Sequence, residues 1–326
     1  MDVLITGGGG FIGSHLTEYI FEHTDDNIII FDNFSTGVQS NLRHINTDRV
    51  RVTTGDIRNE KRIAEAVSRA DQVFHLAAAV GVKHVVDSPL ESLETNLFGT
   101  ENVLRAAAHD NTPVFLASSS EVYGKSEAVP FSEQDDRVLG PTSVSRWGYA
   151  SAKATDEALA LAYYEEKDLP VVIGRYFNIV GPRQSAEYGM VIPRFVEQSL
   201  SDEPLTVYGD GTQTRSFTHV KDAVKLTHEL LSNSRATGEV VNIGSPEPTS
   251  IIELAKRVID LTNSDSAIEY IPFEEVYGPD FEEPDQREPD VSKLQALVGW
   301  APKADLDRIL HDVIDERRGA EVLAND

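Results

Sequence analysis

Short apolar runs alternate with longer amphipathic segments through the first half of the chain. Six runs have the length and β-branched content of buried strands: Val3–Thr6, Asn27–Phe31, Val50–Thr53, Gln72–Leu76, Val114–Ala117 and Val171–Tyr176. The segments between them predict helices at Phe11–Glu22, Lys61–Ser68, Pro89–His109 and Tyr149–Lys167. Strands that alternate with helices build βαβ units, so the pattern predicts an α/β fold with a Rossmann-type, doubly wound parallel sheet.

The pattern changes after Asn178. Glycine, proline and polar residues become dense at 181–189 and 208–218, and an acidic stretch with several prolines follows at 272–289. One apolar run, Val240–Ile243, is typical of a strand that returns to the main sheet. We therefore predict a sheet domain over residues 1–178, with a returning segment near 216–245. Residues 179–326 are expected to form mainly a smaller region that covers the sheet and binds substrate.

The composition indicates a soluble acidic protein. The chain has 326 residues, of which 40% are hydrophobic, and its formal charge of −25 comes from 54 acidic and 29 basic residues. Since no basic stripe is available to neutralise phosphates, we expect no nucleic-acid partner. A carboxylate-rich surface stays hydrated in concentrated salt, and acidic pairs such as Glu282-Glu283 are scattered along the chain. We therefore expect a halophilic protein.

Several absences from the sequence bear on location and metal binding. The chain contains no cysteine, and its nine histidines lack the spacing of metal ligands. No run approaches the roughly 18 apolar residues of a membrane span. The first residues lack the features of a signal peptide. We expect a cytoplasmic protein that binds neither a metal nor a membrane.

A glycine-rich segment joins the first predicted strand to the first predicted helix. Gly7, Gly10 and Gly13 have the spacing of loops that hold a dinucleotide pyrophosphate against a helix N-terminus. Asp32 ends the next strand about 20 residues further on, where a carboxylate binds the adenosine ribose and repels a 2′-phosphate. The sequence therefore predicts a site for NAD rather than NADP. Asp56, after the following strand, is expected near the adenine ring.

Two further segments carry candidate catalytic residues. Tyr149 and Lys153 are four residues apart and therefore share one face of a predicted helix. Ser119 and Glu121 come just after the fifth predicted strand. A Tyr-x-x-x-Lys pair is common by itself, but downstream of a dinucleotide loop it becomes a strong candidate for a catalytic pair.

Taken in order, these segments resemble the extended short-chain dehydrogenase/reductase family, in its branch of NAD-dependent nucleotide-sugar epimerases, dehydratases and decarboxylases. The matching segments are TGGGGFIGSH, FDNFSTG, GDI, HLAA, NLFGT, SSSEVYG, YASAK, RYFNIVGPR, GDGTQTRSFTHVKD and REPD, followed by the LGW-like segment LVGWAP. They span nearly the whole chain, and such a series in order is highly specific.

The resemblance implies a role for each matching residue. Tyr149 takes the proton of the sugar O4 hydroxyl, Ser119 hydrogen-bonds the same oxygen, and Lys153 holds the nicotinamide ribose and lowers the pKa of Tyr149. The phenol of a free tyrosine has a pKa of about 10, so lowering this pKa close to neutrality needs about 4 kcal/mol. A hydride moves from sugar C4 to the nicotinamide and leaves a 4-keto sugar. The implied NAD-binding residues are Gly7, Gly10, Phe11, Ile12, Gly13, Asp32, Asn33, Asp56, Ile57, Leu76, Ala77, Ala78, Asn96, Tyr149 and Lys153.

The fate of the 4-keto sugar separates the members of this branch. An epimerase returns the hydride to the other face, a 4,6-dehydratase removes the C5 proton with a carboxylate, and a decarboxylase releases CO₂ from a glucuronate. The leading interpretation is a UDP-glucose 4-epimerase-like enzyme. The Ser120-Glu121 pair, the segment Arg146-Trp147-Gly148-Tyr149 and Arg287 also resemble decarboxylases or dehydratases. A UDP-glucuronate decarboxylase or a 4,6-dehydratase that uses Glu121 and Arg287 is therefore the alternative.

The later segments imply a site for the nucleotide half of the substrate. Arg215 and Arg287 are expected on its diphosphate, because a guanidinium binds such a group bidentately. Arg183 lies in a matching segment, and Asn178 fits a position that contacts phosphate or sugar. The expected partner is a nucleotide-diphosphate sugar, UDP-linked by resemblance.

The resemblance also implies how the base is enclosed and how the protein assembles. The segments 191–195 and 205–208 resemble those that surround the base, which is commonly uridine. Helices near 93–109 and 149–167 match those that form the family's dimer bundle. We therefore expect a homodimer.

Two other classes of function make different predictions. An oxidoreductase that uses external NAD(P)H on a sterol or small carbonyl would not need Arg215 or Arg287. A non-catalytic NAD-binding scaffold or redox sensor tends to lose the Tyr149–Lys153 pair, which is intact. We therefore predict an enzyme that keeps NAD bound and needs no added reductant.

Overall fold

The computed structural model describes residues 1–45, 47–186, 190–278, 282–303 and 305–325, so the stretches 181–189 and 272–289 lie partly outside the described residues. Numbered along the chain, the strands are β1 (Asp2–Thr6), β2 (Asn27–Asp32), β3 (Val50–Thr54), β4 (Gln72–His75), β5 (Val114–Ser119), β6 (Val171–Tyr176), β7 (Ile179–Val180), β8 (Leu205–Tyr208), β9 (Thr214–Ser216), β10 (Thr218–His219), β11 (Glu239–Ile243), β12 (Pro248–Ser250) and β13 (Ile268–Ile271).

The α-helices lie between these strands and after them. They are α1 (Phe11–His23), α2 (Glu60–Val67), α3 (Val82–Asp87), α4 (Pro89–Asp110), α5 (Ser145–Lys167), α6 (Val191–Leu200), α7 (Val220–Leu231), α8 (Ile251–Thr262), α9 (Phe273–Tyr277), α10 (Ser292–Val298) and α11 (Leu306–Asn325). Short 3₁₀ helices lie at Gln39–Ile45, Ser120–Tyr123 and Ser234–Ala236. No helix in the described ranges combines the length and apolar content needed to cross a bilayer.

Seven of these strands form one sheet in the order β11-β6-β5-β4-β1-β2-β3. Every pairing within it is parallel. The order reverses between β4 and β1, and open α/β sheets bind ligands at such a switch point, beyond the carboxyl ends of the strands. The predicted Rossmann-type fold is confirmed, and β11 is the strand that returns to the sheet.

Helices cover both faces of this sheet. Side chains alternate between the faces of a strand, so Val3 and Ile5 pack with residues of α1 and α7, whereas Leu4 packs with residues of α2, α4 and α5. The central strands β1, β4, β5 and β6 are largely buried on both sides, so they read as continuous apolar runs in the sequence. The sheet therefore supplies a rigid base for the loops at its carboxyl edge.

Residues after Asn178 contribute a third apolar core. It joins α6, α8 and α11 to β8, and Phe195, Leu205, Leu254 and Leu310 are fully buried in it. Two-stranded ladders pair β7 with β10, β9 with β12, and β8 with β13. The division of the chain at residue 178 stays a prediction.

Candidate active site

The glycine loop between β1 and α1 forms a cradle in which side chains cannot be accommodated. Gly7 adopts a φ of +73°, and the amide of Gly10 donates to the Gly7 carbonyl over 3.1 Å. A Cβ at Gly13 would collide with the same carbonyl oxygen. The first backbone N–H groups of α1 are thus left facing an open site, which is the arrangement that binds a pyrophosphate. The cradle fits NAD.

Asp32 lies at the end of β2, beside this cradle. Its carboxylate accepts hydrogen bonds from the backbone amides of Gly9 (2.8 Å) and Phe34 (2.7 Å). These bonds fix the carboxylate at the edge of the cavity, where it can accept hydrogen bonds from the hydroxyls of an adenosine ribose. A phosphate on the same ribose would meet a fixed negative charge, which favours NAD over NADP.

A cavity of about 940 Å³ extends from the glycine loop across the carboxyl ends of the central strands to the region after Asn178. It brings together nearly all the residues that the sequence predicted for the site. Those that line it are Gly7, Gly10, Phe11, Ile12, Gly13, Asp32, Asn33, Ile57, Leu76, Ala77, Ala78, Ser119, Glu121, Tyr149, Lys153, Asn178, Arg183, Arg215 and Arg287.

Asp56 and Asn96 are absent from the lining of this cavity. The Asp56 carboxylate accepts hydrogen bonds from the Arg58 guanidinium at both of its oxygens. Asn96 is buried, accepts from the Ala79 amide over 2.9 Å and donates to the Ala79 carbonyl over 3.2 Å. Since Ala79 itself lines the cavity, Asn96 supports the cavity wall from behind. The predicted NAD-binding roles of Asp56 and Asn96 stay predictions.

Ser119, Tyr149 and Lys153 meet where β5 ends beside α5. Burial raises the pKa of Tyr149 above its ordinary value, the Glu121 carboxylate raises it further, and a hydrogen bond with Ser119 lowers it. For Tyr149 to act as a base, positive charge must therefore stand beside the phenol. Lys153 lies one turn along the same helix face, and a bound nicotinamide would add a second positive charge.

A cluster of five charged side chains closes the opposite side of the site. Arg287 forms a two-point ion pair with Glu121, and Arg146 approaches the same carboxylate to 3.4 Å. Glu283 forms ion pairs with both Arg146 and Arg215. We refer to Glu121, Arg146, Arg215, Glu283 and Arg287 as the arginine cluster.

The arginine cluster carries more positive than negative charge, and it lies next to the candidate catalytic residues Ser119 and Tyr149. Among the described residues, three guanidinium groups face two carboxylates here, so these five side chains together carry a formal charge of +1. Burial opposes ionisation of Glu121, but Arg146 and Arg287 outweigh it and lower the pKa of Glu121 to about 2. Arg146 and Arg287 are each only 4% exposed. A buried site in which guanidinium groups outnumber carboxylates favours an anionic group on the ligand.

The other predicted substrate residues line different parts of the cavity. The Asn178 amide donates to the Ser216 carbonyl over 3.0 Å. Arg183 forms an ion pair with Glu18 and donates to the Ser14 hydroxyl over 3.2 Å, so it lies beside the start of α1. The guanidinium of Arg194 lies 3.9 Å from the ring centre of Tyr208. The roles proposed for these residues stay predictions.

Sequence reasoning assigned no site role to two members of the arginine cluster, Arg146 and Glu283, and it missed one buried acid. Glu283 was interpreted as part of a hydrated acidic surface, yet it is a partner of Arg146 and Arg215. Asp156 attracted no attention, but its carboxylate lies 3.3 Å from Lys153 Nζ. No sequence signal separates these acids from surface acids in so acidic a chain, except that Asp156 is one helical turn after Lys153. Among the described residues, no group of three or more acidic or histidine side chains is placed to hold a metal ion.

Comparisons with known proteins show which proteins this chain resembles. The sequence model of GDP-mannose 4,6 dehydratase matches residues 4–313. The UDP-N-acetyl-alpha-D-glucosaminuronate decarboxylase of Bacillus cytotoxicus is 44% identical over 98% of both chains. UDP-glucuronic acid decarboxylase 4 of Arabidopsis thaliana is 36% identical over 93% of this chain and 66% of its own length.

A solved structure shows the same fold throughout. The UDP-glucuronic acid 4-epimerase of Bacillus cereus, in complex with UDP-glucuronic acid and NAD, superposes with a TM-score of 0.87 at 29% identity. The similarity covers 98% of this chain and all of that one. Since one family model covers most of the sequence and a relative of 44% identity covers nearly all of it, the chain belongs to the GDP-mannose 4,6-dehydratase family of NAD-dependent nucleotide-sugar epimerases, dehydratases and decarboxylases.

Proposed function

We propose that the protein is a UDP-hexuronate decarboxylase, which converts a UDP-linked uronic acid into a UDP-pentose and CO₂. The observation that carries this proposal is the arginine cluster, whose formal charge of +1 lies beside Tyr149 and Ser119. A hexuronate adds one carboxylate next to the carbon that reacts, and that carboxylate would bring the cluster to neutrality. A neutral hexose offers these guanidinium groups no such carboxylate, so only the diphosphate of the same substrate could balance them.

The cofactor is NAD. When bound, it supplies a nicotinamide that accepts the C4 hydride and returns it within one turnover. The chain's own residues control the protons and the position of the sugar. Tyr149 accepts the O4 proton as C4 is oxidised, Ser119 holds the same oxygen by a hydrogen bond, and Lys153 supplies positive charge that favours the ionised phenol.

Oxidation at C4 prepares the carboxylate for loss. The new ketone is β to the carboxylate, so the electron pair of the breaking C5–C6 bond passes into the C5–C4–O4 system. Ser119 and Tyr149 donate hydrogen bonds to the enolate oxygen that forms at O4. C5 then takes one proton from solvent, and Tyr149 gives its proton back to O4 as the C4 ketone is reduced, which completes the UDP-pentose. The sum is uptake of one proton and release of one CO₂, with no net oxidation.

In this scheme Glu121 orients Arg287 and Arg146. With a pKa of about 2, Glu121 is ionised at neutral pH and has little affinity for a proton. A 4,6-dehydratase would need a carboxylate that removes the C5 proton, and a base this weak would remove it inefficiently. The low pKa of Glu121 therefore argues against the dehydratase alternative.

An epimerase is the second candidate. It was the leading interpretation of the sequence, and the Bacillus cereus structure is that of a 4-epimerase in complex with UDP-glucuronic acid. Because that ligand also carries a carboxylate, the arginine cluster would suit such an enzyme as well. The two candidates share the oxidation at C4. A decarboxylase then releases CO₂, whereas an epimerase keeps the carboxylate and returns the hydride to the other face of C4.

A product analysis separates these functions. The purified protein would be incubated, at low and high salt and without added reductant, with UDP-glucuronate, UDP-N-acetylglucosaminuronate and UDP-glucose. We expect a UDP-pentose product and CO₂ from one or both uronates, and no product from UDP-glucose. A C4 epimer that retains its carboxylate would establish the epimerase instead. A 4-keto-6-deoxy sugar would establish a dehydratase.

We also infer that the protein forms a homodimer through α4 and α5. These helices pack against each other, and they carry the exposed apolar side chains Leu90, Phe98 and Tyr164. Exposed apolar groups on neighbouring helices favour burial against a second copy. The mass in solution tests this inference: about twice the chain mass is expected, and Phe98→Glu is expected to reduce it to that of one chain.

A further inference from the structure

A buried carboxylate lies one helical turn beyond Lys153 on α5. Asp156 is 1% exposed, and its Oδ2 atom is 3.3 Å from the Lys153 ammonium. Lys153 is itself only 3% exposed, so water screens neither charge. A carboxylate in such a place is stable as an ion only if a cation pairs with it. Lys153 is therefore held by a partner that also cancels part of its charge.

Among the described groups that surround Asp156, Lys153 supplies the positive charge that pairs with it. From α4, the Thr100 hydroxyl faces the Asp156 carboxylate, and it is also 3.1 Å from His75 Nε2 on β4. Burial lowers the pKa of His75 to about 3, so that ring is neutral at neutral pH. The neighbouring Glu157 also faces Asp156, but its own carboxylate is bound by the Arg175 guanidinium at 2.7 and 2.9 Å.

Asp156 also acts on the proposed catalytic base. Tyr149, Lys153 and Asp156 are spaced by four and three residues, which places them on one face of α5. Burial and the Glu121 carboxylate are the larger causes of the raised pKa of Tyr149, and the Asp156 carboxylate raises it further. The negative charge of Asp156 therefore weakens the stabilisation that the Lys153 ammonium gives to the ionised form of Tyr149.

We propose that Asp156 is a positioning residue that holds the Lys153 ammonium and screens its charge from Tyr149, thereby setting the pH range in which C4 is oxidised. This proposal rests on the proposed function, in which Tyr149 is the base. Burial raises the pKa of Asp156 to about 6, against the opposing effect of Lys153, so the screening charge itself changes near neutral pH. Removing the carboxylate leaves the full charge of Lys153 beside the phenol and favours its ionised form.

The test compares Asp156→Asn and Asp156→Ala with the wild type. Both variants remove the charge, and the first retains the size and hydrogen-bonding groups of the side chain. Glu165→Gln is the matched control, since it removes one acidic charge from the exposed side of the same helix. We expect the acidic limb of the pH profile of kcat for UDP-glucuronate to move about one pH unit lower in both Asp156 variants, while KM stays unchanged. The control is expected to match the wild type.

A second measurement does not depend on turnover. Tyrosine labelled with carbon-13 in its ring reports its own ionisation by NMR, and the Tyr149 signal is identified by its loss in Tyr149→Phe. The pKa of Tyr149 is expected to be about one unit lower in the Asp156 variants than in the wild type.

The possible outcomes separate this proposal from the proposed function. If no uronate is converted by the wild type, the proposed function fails, whereas the NMR titration still decides the role of Asp156. An unchanged or raised Tyr149 pKa in the variants would overturn the proposal, and so would an acidic limb that stays in place. Failure of both variants to fold would assign Asp156 a purely structural role and would overturn it as well.

Discussion

Replacing Arg287 with methionine removes one positive charge from the arginine cluster and retains much of the apolar stem. In the wild type, three arginines face two glutamates, so a bound carboxylate makes the cluster neutral. In Arg287→Met the cluster is already neutral, and the same carboxylate leaves one negative charge in excess. Arg287 is 4% exposed, so this charge would be poorly screened.

The size of the effect follows from the cost of an unmatched buried charge. Such a charge costs about 3 kcal/mol or more when one partner of a buried pair is removed. At 1.36 kcal/mol for each factor of ten, affinity for UDP-glucuronate should fall roughly 150-fold. UDP-glucose, which has the same nucleotide and diphosphate but no carboxylate, should lose less than about 3-fold, which is under 1 kcal/mol.

Calorimetric titration of both ligands into the wild type and the variant measures this difference directly. Arg235→Met is the matched control, because Arg235 is exposed and donates to the Ala296 carbonyl away from the cavity. Equal weakening of both ligands would refute the reasoning, because it would place Arg287 on the diphosphate, as the sequence first suggested. Unchanged binding of UDP-glucuronate would also refute it.

Three further predictions concern the base, the cradle and acid stability. Tyr149→Phe should lower kcat by about 10³-fold or more while the purified protein retains its bound NAD; unchanged turnover would remove Tyr149 from the mechanism. Gly13→Ala should abolish NAD retention, measured as cofactor released on denaturation, because the added Cβ collides with the Gly7 carbonyl. Burial lowers the pKa of His15 from 6.5 to about 4, so the unfolded chain gains a proton below pH 6.5 that the folded protein does not. The fall in unfolding free energy from pH 7 to pH 4.5 should thus be about 2 kcal/mol smaller in His15→Asn, and an equal fall would contradict the assigned pKa.

Most of the sheet was predictable because its central strands are buried on both faces. The predicted strand Val171–Tyr176 agrees with β6 at both ends, and the other predicted strands of the sheet differ by one or two residues. The start of α5 was not predictable. The helix begins at Ser145 rather than Tyr149, and its first turn is held by acids distant in sequence: Glu282 accepts from the Trp147 indole, and Glu283 pairs with Arg146.

The candidate site was predictable where a backbone motif or helical spacing defines it. The Gly7–Gly13 loop and the Tyr149–Lys153 pair are recognisable because each needs particular residue types at particular intervals. Glu283 was not, because its function depends on an arginine 137 positions earlier in the chain. In a chain with 54 acidic residues, composition does not reveal which carboxylates are buried.

The central claim is a redox-neutral decarboxylation in which one hydride leaves C4 and returns to it. UDP-glucuronate that carries deuterium at C4 and carbon-13 at C6 tests both halves in one reaction, without added cofactor or reductant. We expect labelled CO₂ and a UDP-pentose that retains deuterium at C4. A product that keeps the C6 label, or a pentose that has lost its deuterium, would contradict the account.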